Sequence, residues 1–151
     1  MFNIFMKNRL NDGEIELVQY GKHKDSEPDG WGNSLLYDIV ELSSGKIVGR
    51  CDLRIGTGRT LYYAGNIGYS VYMPYRGHHY AAKACILMFG EARKRKIKEI
   101  IITCNPDNLA SYHTCEVAGC KLKEIVDVPK DHDLYFQGDR QKAIFIKNLT
   151  E

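Results

Sequence analysis

The sequence contains no long apolar run. No stretch approaches the ~20 consecutive apolar residues that a transmembrane helix needs. Residues 1–16, MFNIFMKNRLNDGEIE, begin with a short apolar segment, but they have no basic segment before it and no small-residue cleavage site. We therefore predict neither a membrane span nor a signal peptide, and we expect a cytoplasmic protein.

Paired cysteines and metal-ligand spacings are also missing. The five cysteines are odd in number and include no Cys-x-x-Cys pair, which argues against a disulfide framework and a structural zinc site. We expect most of them to act as small buried apolar residues in a reducing environment. The five histidines show no ligand spacing either, since the neighbours His78 and His79 would point about 100° apart on a helix. We therefore predict no metal site.

A strong charge of one sign and the common nucleotide-binding loops are absent as well. The formal net charge of +2 is too small to indicate a nucleic-acid-binding protein, although it leaves room for a local basic patch. The chain has neither Gly-x-x-x-x-Gly-Lys-Ser/Thr nor a Gly-x-Gly-x-x-Gly after a first strand. Both loops bind nucleotide phosphates, so nucleotide hydrolysis and dinucleotide binding are disfavoured.

The sequence does have the composition and patterning of one globular domain, which we predict over residues 1–151. Hydrophobic residues make up 44% of the 151 residues and charged residues 26%, which suits a chain with a sizeable core. The first half shows β-type segments separated by turn residues. These predicted strands are 14–22, 34–42, 46–55 and 66–73. Because tight turns join them, they predict an antiparallel meander.

The second half changes to helical periodicity. Apolar residues at helical spacing predict a helix over residues 80–96, and Asn105 with Pro106 predicts the start of a second helix that ends at Gly119. The predicted strands of this half are 98–104, of the buried parallel kind, 121–128 and 141–148. We therefore predict an α/β (α+β) fold with a mixed central sheet of about seven strands and a right-handed parallel crossover over residues 66–104.

The stretch PYRGHHYAA, residues 74–82, enters the first helix without a side-chain cap. No Ser, Thr, Asp or Asn stands where it could accept a hydrogen bond from the first helical amides. Because helix N-termini in such folds point toward the ligand site, an anion such as a pyrophosphate could serve as the cap. A tight turn capped by water is the alternative.

Two motifs carry a resemblance to the GNAT N-acetyltransferases. The pyrophosphate loop of that family reads Arg/Gln-x-x-Gly-x-Gly/Ala, and residues 76–81 match its Arg and its Ala but have His79 at a Gly position. Residues 105–122, NPDNLASYHTCEVAGCKL, resemble the family's second motif. The spacing seen in the branch similar to ribosomal-protein N-terminal acetyltransferases is matched by Asn108, Ser111, Glu116 and Gly119. The resemblance covers roughly residues 34–148.

The resemblance implies the GNAT fold and transfer of an acetyl group from acetyl-CoA to a primary amine by direct attack on the thioester. In that family the fourth and fifth strands splay apart, and the pantetheine arm lies between them. The backbone of residues 71–73 would then contact pantetheine, and residues 76–81 would hold the pyrophosphate. Asn108 and Ser111 would lie beside the thioester arm. The implied cofactor-binding residues are Val71, Tyr72, Met73, Arg76, Gly77, His78, His79, Tyr80, Ala81, Asn105, Asn108 and Ser111.

One departure from the family motif concerns the acid that protonates the leaving thiolate. Many members carry a Tyr for this purpose at the position that Cys115 occupies here. Ser111 and Tyr112 are the hydroxyl-bearing candidates nearby. Their structural alternatives are a helix-surface hydroxyl and a packed aromatic ring. Cys115 itself has no neighbouring His–acid arrangement in the sequence, so it is a poor candidate nucleophile.

A second departure concerns the base. Asn66 stands where many members carry a Glu, and an amide cannot take up a proton. Asp52 on the neighbouring predicted strand is the candidate replacement, and a structural ion pair with Arg50 or Arg54 is the alternative. A site without a strong base should favour amines that lose their proton easily, such as α-amines.

The acceptor, an amine-bearing small molecule or peptide, is not identified by the resemblance. The helices that form much of the acceptor wall in the family are reduced here to residues 22–33, KHKDSEPDGWGN. A homodimer partner or a flexible loop could complete the wall. Two alternatives to an enzyme stay open: a non-catalytic acyl-CoA-binding module, and a nucleic-acid-binding α/β domain that uses the basic cluster at residues 93–98. Against the latter, the run 93–96 is typical of solvated cations at a helix end.

Overall fold

The computed structural model describes residues 10–150, in which eight strands and four helices follow one another. Residues 1–9, on which part of the signal-peptide prediction rests, lie outside the described residues. The strands are β1 Leu10–Asn11, β2 Ile15–His23, β3 Asn33–Glu41, β4 Ile47–Ile55, β5 Ile67–Val71, β6 Glu99–Cys104, β7 Lys121–Asp127 and β8 Gln141–Asn148. The helices are α1 Arg59–Ala64, α2 Tyr80–Lys94, α3 Leu109–Val117 and α4 Asp133–Phe136. The predicted α/β (α+β) class is confirmed.

The first sheet contains β1 to β5 in sequence order, and every neighbouring pair is antiparallel. This is the predicted meander. Inward-facing residues of its strands, among them Leu17, Ile39 and Leu53, are buried in the same core as α2. The turn between β3 and β4 closes at Gly45, whose φ of 72° is a conformation that favours glycine.

Helix α2 packs on the first sheet through residues at helical spacing. Its fully buried residues include Ala84, Cys85, Met88 and Ala92. The helix ends at Lys94, before the predicted end at residue 96, because Lys96 adopts a left-handed conformation with a φ of 61°. Residues 93–96 are exposed at this helix end, where cations are favoured by the helix dipole.

The second sheet has the strand order β6-β8-β7, and both of its pairs are antiparallel. The predicted parallel ladder between β5 and β6 is not formed, so two adjacent sheets take the place of one continuous mixed sheet. They join at Asn66, whose N–H donates to the Ile101 carbonyl (2.7 Å) and whose Oδ1 accepts from the Ile101 N–H (2.9 Å). Among residues 10–150 no ladder joins β5 to β6, which leaves that edge of β5 without a strand partner.

Three short elements, β1, α1 and α4, lie in stretches that the sequence does not predict to be strand or helix. They contain two, six and four residues. Apolar periodicity cannot be recognised over so few positions. Contacts with the rest of the chain stabilise them: His132, for example, caps α4 by accepting from the Leu134 N–H (3.0 Å) and contacts the Thr60 carbonyl (3.1 Å) in α1.

Helix α3 begins later than predicted. A hydrogen bond from the Asn108 N–H to the Asn105 carbonyl (2.9 Å) closes a turn before the helix. The cap is Asn108, whose Oδ1 accepts from the Ser111 N–H (3.2 Å), so the predicted cap at Asn105 is wrong. Both asparagines suit a cap, and the intervening turn decides between them. Gly119 follows the helix with a φ of 84°, as predicted.

The core runs through both sheets. Buried apolar residues from the two sheets, α2 and α3 form one cluster. All five cysteines are buried and free, which confirms their predicted role as small apolar residues. Within residues 10–150, no helix combines the length and apolar composition needed to cross a bilayer. The same residues contain no group of three His, Cys, Asp or Glu side chains placed to hold a metal ion.

Candidate functional site

The connection from β5 to α2 turns through left-handed backbone. It passes a 3₁₀ turn at Met73–Tyr75, after which Gly77 and His79 adopt φ angles of 93° and 59°. Histidine is one of the few side chains that tolerate the left-handed region. The backbone at the position of the motif's first Gly is therefore left-handed in this chain, although the residue is His79.

The amides at the start of α2 have no protein acceptor. The helix lacks a side-chain cap, and no acidic residue lies in its first turn. Within the described residues, the N–H groups of residues 77–82 make no hydrogen bond to the protein. The next amide, that of Lys83, donates to the His79 carbonyl (3.0 Å). Free donors at the positive end of a helix dipole are suited to bind an anion.

Tyr80 anchors this helix start from the side of the core. Its hydroxyl donates to Glu41 Oε2 (2.6 Å) at the end of β3, and the tyrosine is 8% exposed. The bond lowers the pKa of Glu41 and raises the pKa of Tyr80 to about 12. A cofactor contact of Tyr80 would therefore use its backbone N–H, because its side chain is engaged in the protein.

Arg76 lies over the end of β5. Its Nε donates to the Val71 carbonyl (2.9 Å), and the side chain is otherwise exposed. The guanidinium thus brings a positive charge beside the free amides of residues 77–82. The Val71 carbonyl, which the resemblance assigns to pantetheine, is occupied by Arg76 in this structure.

A cavity of about 510 Å³ lies between this loop, β5 and α3. We call it the loop cavity. It is lined by Tyr69, Ser70, Val71, Tyr75, Arg76, Gly77, His79, Tyr80, Ala81, Asn108, Ala110, Ser111, His113 and Thr114. Its volume lies within the ~300–1,000 Å³ of small-molecule sites. The two motifs that are separated in the sequence therefore meet at one cavity.

Four of the residues implied as cofactor-binding do not line the loop cavity: Tyr72, Met73, His78 and Asn105. The Met73 and Tyr72 side chains are 75% and 43% exposed, and the Tyr72 N–H is taken by the Val48 carbonyl (2.8 Å). The His78 ring stacks on the Tyr80 ring with centroids 5.3 Å apart. For His78 this leaves its free backbone N–H as the group that could meet a ligand.

A second cavity, of about 350 Å³, adjoins the first. We call it the Trp31 cavity. It is lined by Trp31, Arg54, Ala64, Ile67, Gly68, Tyr69, Thr103, Cys104, Asn105, Asn108, Ser111, Leu134, Gln137, Asp139 and Lys142. Three residues line both cavities: Tyr69, Asn108 and Ser111. They mark the junction at which a ligand in one cavity meets a ligand in the other.

Trp31 and α4 form one wall of the Trp31 cavity. Trp31 comes from the loop between β2 and β3, and its Nε1 donates to Asp133 Oδ2 (2.9 Å) in α4. The Arg54 guanidinium lies 5.3 Å from the Trp31 ring centroid. This loop and α4 thus supply a wall in a chain whose helices between the first strands are reduced.

Asp52 is held in an ion pair. Its Oδ2 lies 2.7 Å from Arg54 Nε, whereas Arg50 pairs with Asp38 (3.1 Å). Arg54 lines the Trp31 cavity, but Asp52 is not among the lining residues. The geometry matches the structural alternative for Asp52, and its role as a base stays a prediction.

The lining of the Trp31 cavity contains a second ion pair. Lys142 is 9% exposed, and its Nζ lies 3.1 Å from Asp139 Oδ2. Asn105 Nδ2 donates to Asp139 Oδ1 (3.3 Å). The Asn105 Oδ1 is buried and has no hydrogen-bond partner among the described residues. The wall therefore holds compensated charges and one unsatisfied acceptor.

The candidate acids differ in their placement. Ser111 lines both cavities. Tyr112 packs edge-to-face on Phe145, with ring centroids 4.8 Å apart, and lines neither cavity. Cys115 is fully buried, and the hydrogen bond that it donates to Cys104, together with burial, raises its pKa, which disfavours a thiolate nucleophile.

Tyr69 is the junction residue that sequence reasoning missed. Burial raises the pKa of its hydroxyl, and an interaction with the Ser111 side chain acts in the opposite direction. The period of a strand could have identified it, because residues two apart share a face and Val71 is an implied cofactor residue. The resemblance assigns a role only to the backbone of this strand, so it does not identify the Tyr69 side chain.

Comparisons with known proteins agree with this geometry. A family model described as an acetyltransferase (GNAT) domain matches residues 6–121. A search of curated protein sequences found no match. The acetyltransferase (GNAT family) from Bacillus anthracis has a TM-score of 0.62 at 20% identity, and the match covers 77% of this chain and 67% of that protein.

Two further solved structures are similar. The ribosomal-protein-S5-alanine acetyltransferase from Vibrio fischeri has a TM-score of 0.62 at 20% identity and covers 78% of this chain and 63% of that protein. The microcin C7 self-immunity acetyltransferase MccE, solved with acetyl-CoA and AMP, has a TM-score of 0.59 at 20% identity, with 76% and 61% covered. This chain thus spans less than two thirds of the length of both. At this identity the likeness is one of fold.

Proposed function

The chain belongs to the GNAT acetyltransferase family, and on this premise we propose that it transfers the acetyl group of acetyl-CoA to a primary amine. The observation that carries the proposal is the row of unpartnered amides at residues 77–82, beside Arg76 at the loop cavity. Such donors need an acceptor, and the CoA pyrophosphate is an anion of suitable charge. MccE, a protein of the same fold, was solved with acetyl-CoA.

The loop cavity suits the rest of the cofactor. The free edge of β5 offers backbone groups to the amides of the pantetheine arm, as a neighbouring strand would. The contact between Arg76 and the Val71 carbonyl would be exchanged on binding, because the guanidinium can turn to the pyrophosphate. That exchange would free the Val71 carbonyl for pantetheine. The thioester would then lie at the junction with the Trp31 cavity.

The amine would enter from the Trp31 cavity and attack the thioester carbonyl at this junction. As the C–N bond forms, the C–S bond breaks, and the sulfur leaves with the bonding electrons. The thiolate then needs a proton, and the attacking nitrogen must lose one. Asn66 cannot take part in either transfer, because it is 6% exposed and its side chain bonds the Ile101 N–H and the Arg54 and Gly56 carbonyls.

An α-amine is the acceptor that we propose. With ordinary pKa values, an α-amine is about 14% neutral at pH 7 and a lysine amine about 0.04%, a difference of a few hundredfold in attacking species. Among the carboxylates next to the Trp31 cavity, Asp52 and Asp139 are engaged with cations, and Asp133 accepts a hydrogen bond from Trp31 Nε1. The ribosomal-protein-S5-alanine acetyltransferase among the structural neighbours makes a peptide N-terminus a reasonable first acceptor.

The experiment compares two peptides at pH 7 with acetyl-CoA, and mass spectrometry detects the acetylated product. One peptide has a free N-terminal alanine and no lysine, and its counterpart has a blocked N-terminus and one lysine. We expect a higher kcat/KM for the free N-terminus. A clear preference for the lysine peptide would contradict the α-amine proposal and indicate a base, with Asp52→Asn as the next variant.

Binding measurements distinguish the enzyme from the two other classes of protein. Tight acetyl-CoA binding without transfer to any amine in a panel would favour a non-catalytic acyl-CoA-binding module. Salt-dependent binding of an oligonucleotide without CoA would favour the nucleic-acid-binding alternative. We also propose that residues 1–151 form one N-acetyltransferase domain, which is supported by the single core cluster within the described residues 10–150.

A further inference from the structure

We infer that Tyr69 is the acid that protonates the leaving CoA thiolate, and that Ser111 positions the Tyr69 hydroxyl and stabilises its deprotonated form. This inference rests on the proposed acetyl transfer. Many family members carry a Tyr at the position of Cys115 to protonate the thiolate. Here the inference assigns that protonation to a residue of β5 instead.

The argument begins with the junction of the two cavities. A leaving sulfur must lie where the cofactor and the acceptor meet, and only Tyr69, Asn108 and Ser111 line both cavities within the described residues. The Asn108 side chain is an amide, and its oxygen accepts from the Ser111 N–H (3.2 Å). Tyr69 and Ser111 are therefore the two junction residues with a hydroxyl proton to donate.

Other hydroxyls near the junction are engaged elsewhere. Thr103 Oγ1 donates to the Tyr63 carbonyl (2.7 Å), and Thr114 Oγ1 donates to the Ala110 carbonyl (3.0 Å). Tyr112 packs on Phe145, outside both cavities. Ser70 and Tyr75 line only the loop cavity, so Tyr69 and Ser111 are the hydroxyls that line both cavities.

The imidazole and ammonium groups that line the cavities each line only one of them. His79 and His113, whose ring centroids are 6.0 Å apart, line the loop cavity and not the junction. His79 belongs to the loop with the free amides. Lys142, which lines only the Trp31 cavity, is paired with Asp139. The cationic side chains Arg76 and Arg54 lie one on each side of the junction and are too basic to act as acids.

The environment of Tyr69 suits a proton donor. Burial raises the pKa of its hydroxyl, so the group keeps its proton at neutral pH and cannot act as a base there. The interaction with Ser111 lowers the pKa of Tyr69, as a hydrogen bond to the phenolate oxygen would. Ser111 is itself held in place, because its amide is bonded to the Asn108 cap.

The proposed step balances protons and electrons. The lone pair of the neutral amine forms the C–N bond, and the electrons of the breaking C–S bond pass to sulfur. The Tyr69 O–H proton moves to the sulfur and yields the CoA thiol. The Tyr69 phenolate, which Ser111 stabilises by donating its hydroxyl hydrogen, then regains a proton from the product nitrogen through water.

The test measures kcat, KM and CoA affinity for Tyr69→Phe and Ser111→Ala, with the alanine-terminated peptide as acceptor. Tyr69→Phe keeps the ring and should lower kcat at least about tenfold, since general acids contribute ~10²–10⁴-fold, while CoA affinity stays unchanged. Ser111→Ala should lower kcat less. Tyr20→Phe is the matched control, because Tyr20 is 48% exposed and lines neither cavity.

A pH profile separates a proton donor from a packing role. In the wild-type protein, kcat should fall only above about pH 10, the ordinary pKa of a tyrosine, as Tyr69 loses its proton, and Ser111→Ala should move this fall to higher pH. Tyr69→Phe should abolish it. If Tyr69→Phe does not fold, the pH profile of kcat in Ser111→Ala still tests the inference.

Three other outcomes would contradict the inference. If the wild-type protein acetylates the peptide and Tyr69→Phe retains its kcat and its fall at high pH, the inference is wrong while the proposed function stands. A loss of kcat in Tyr112→Phe alone would also overturn it. Absence of transfer by the wild-type protein to this peptide and to an amine panel would reject the proposed function, and the inference with it.

Discussion

Helices α2 and α3 begin at the same cavity in opposite ways. At α3, the Asn108 side chain accepts from the Ser111 N–H (3.2 Å), so the helix start is satisfied within the protein. At α2, no side chain caps the helix, and the amides of residues 77–82 find no acceptor among residues 10–150. A helix start that caps itself needs nothing more for its stability. One that does not cap itself leaves amide donors that water or a ligand must satisfy.

The largest effect should come from removing one of the free amides. Gly77→Pro deletes an N–H and imposes a φ near −65° on a residue whose φ is 93°. In the wild-type protein, acetyl-CoA at 100 times its Kd should add about 2.7 kcal/mol to the free energy of unfolding. In Gly77→Pro this gain should vanish, as measured by the ligand-induced shift in Tm.

A matched proline and a truncated ligand sharpen this result. Gly45 also has a left-handed φ, of 72°, but lies in the turn between β3 and β4. Gly45→Pro should lower the Tm without ligand and keep the acetyl-CoA shift. A pantetheine fragment without the pyrophosphate should shift the wild-type Tm much less than CoA. Equal shifts for the fragment and for CoA would contradict the assignment of the pyrophosphate to residues 77–82.

A smaller effect should come from the capped helix. Asn108→Ala removes the acceptor for the Ser111 N–H and should lower the free energy of unfolding by about 1 kcal/mol without ligand. Chemical denaturation measures the loss, and Asn108→Ser should restore most of it, because Ser is an equally good cap. An unchanged free energy of unfolding in Asn108→Ala would mean that α3 does not depend on this cap.

The smallest effect concerns the hydrogen bond of Tyr80 at the start of α2. It is seen only as a change in stability with pH. The pKa of Tyr80 is about 12, against about 10 for an ordinary tyrosine, because of its bond to Glu41. The folded state thus binds this proton more tightly, and its contribution is present below about pH 10 and lost as pH rises to 12. The stability difference between the wild-type protein and Tyr80→Phe should therefore shrink over this range.

At acid pH, the hydrogen bond between Tyr80 and Glu41 gives the stability the opposite pH dependence. The Tyr80 hydroxyl lowers the pKa of Glu41, so its contribution is present above the ordinary pKa of a glutamate and is lost as pH falls through the lowered value. Tyr37, whose pKa burial raises to about 12, titrates in both proteins and cancels in the comparison. A difference between the two proteins that is constant from pH 3 to pH 12 would contradict this account.

The fold could be predicted to the extent that its elements are long. The strands of the meander and helix α2 have enough residues for their periods to be recognised. The cap of α3 was misplaced, because Asn105 and Asn108 are equally good caps in isolation. The separation of β5 from β6 could not be predicted from the residues alone. A buried strand such as β6 has the same continuous apolar sequence whether it pairs with β5 or with β8.

The candidate site, too, could be predicted only in part. The sequence motifs identified the loop at residues 76–81 and Asn108 with Ser111, and the structure brings these groups to one cavity. They did not identify Tyr69 or Trp31. Both are ordinary members of a strand and a loop, and their relevance depends on which distant residues they face.

Asn66 shows most clearly what the sequence by itself could determine. The sequence determined that this position holds an amide and therefore no base. Only the tertiary structure showed what the amide does, because its partners are backbone groups of Ile101, Arg54 and Gly56 on two other strands and a turn. Likewise the missing cap of α2 was evident from the sequence, since a cap lies within a few residues of the amides that it serves. The junction of Tyr69 with Ser111 was decided by the placement of β5 and α3 on either side of the loop cavity, because contacts between residues far apart along the chain leave no local pattern.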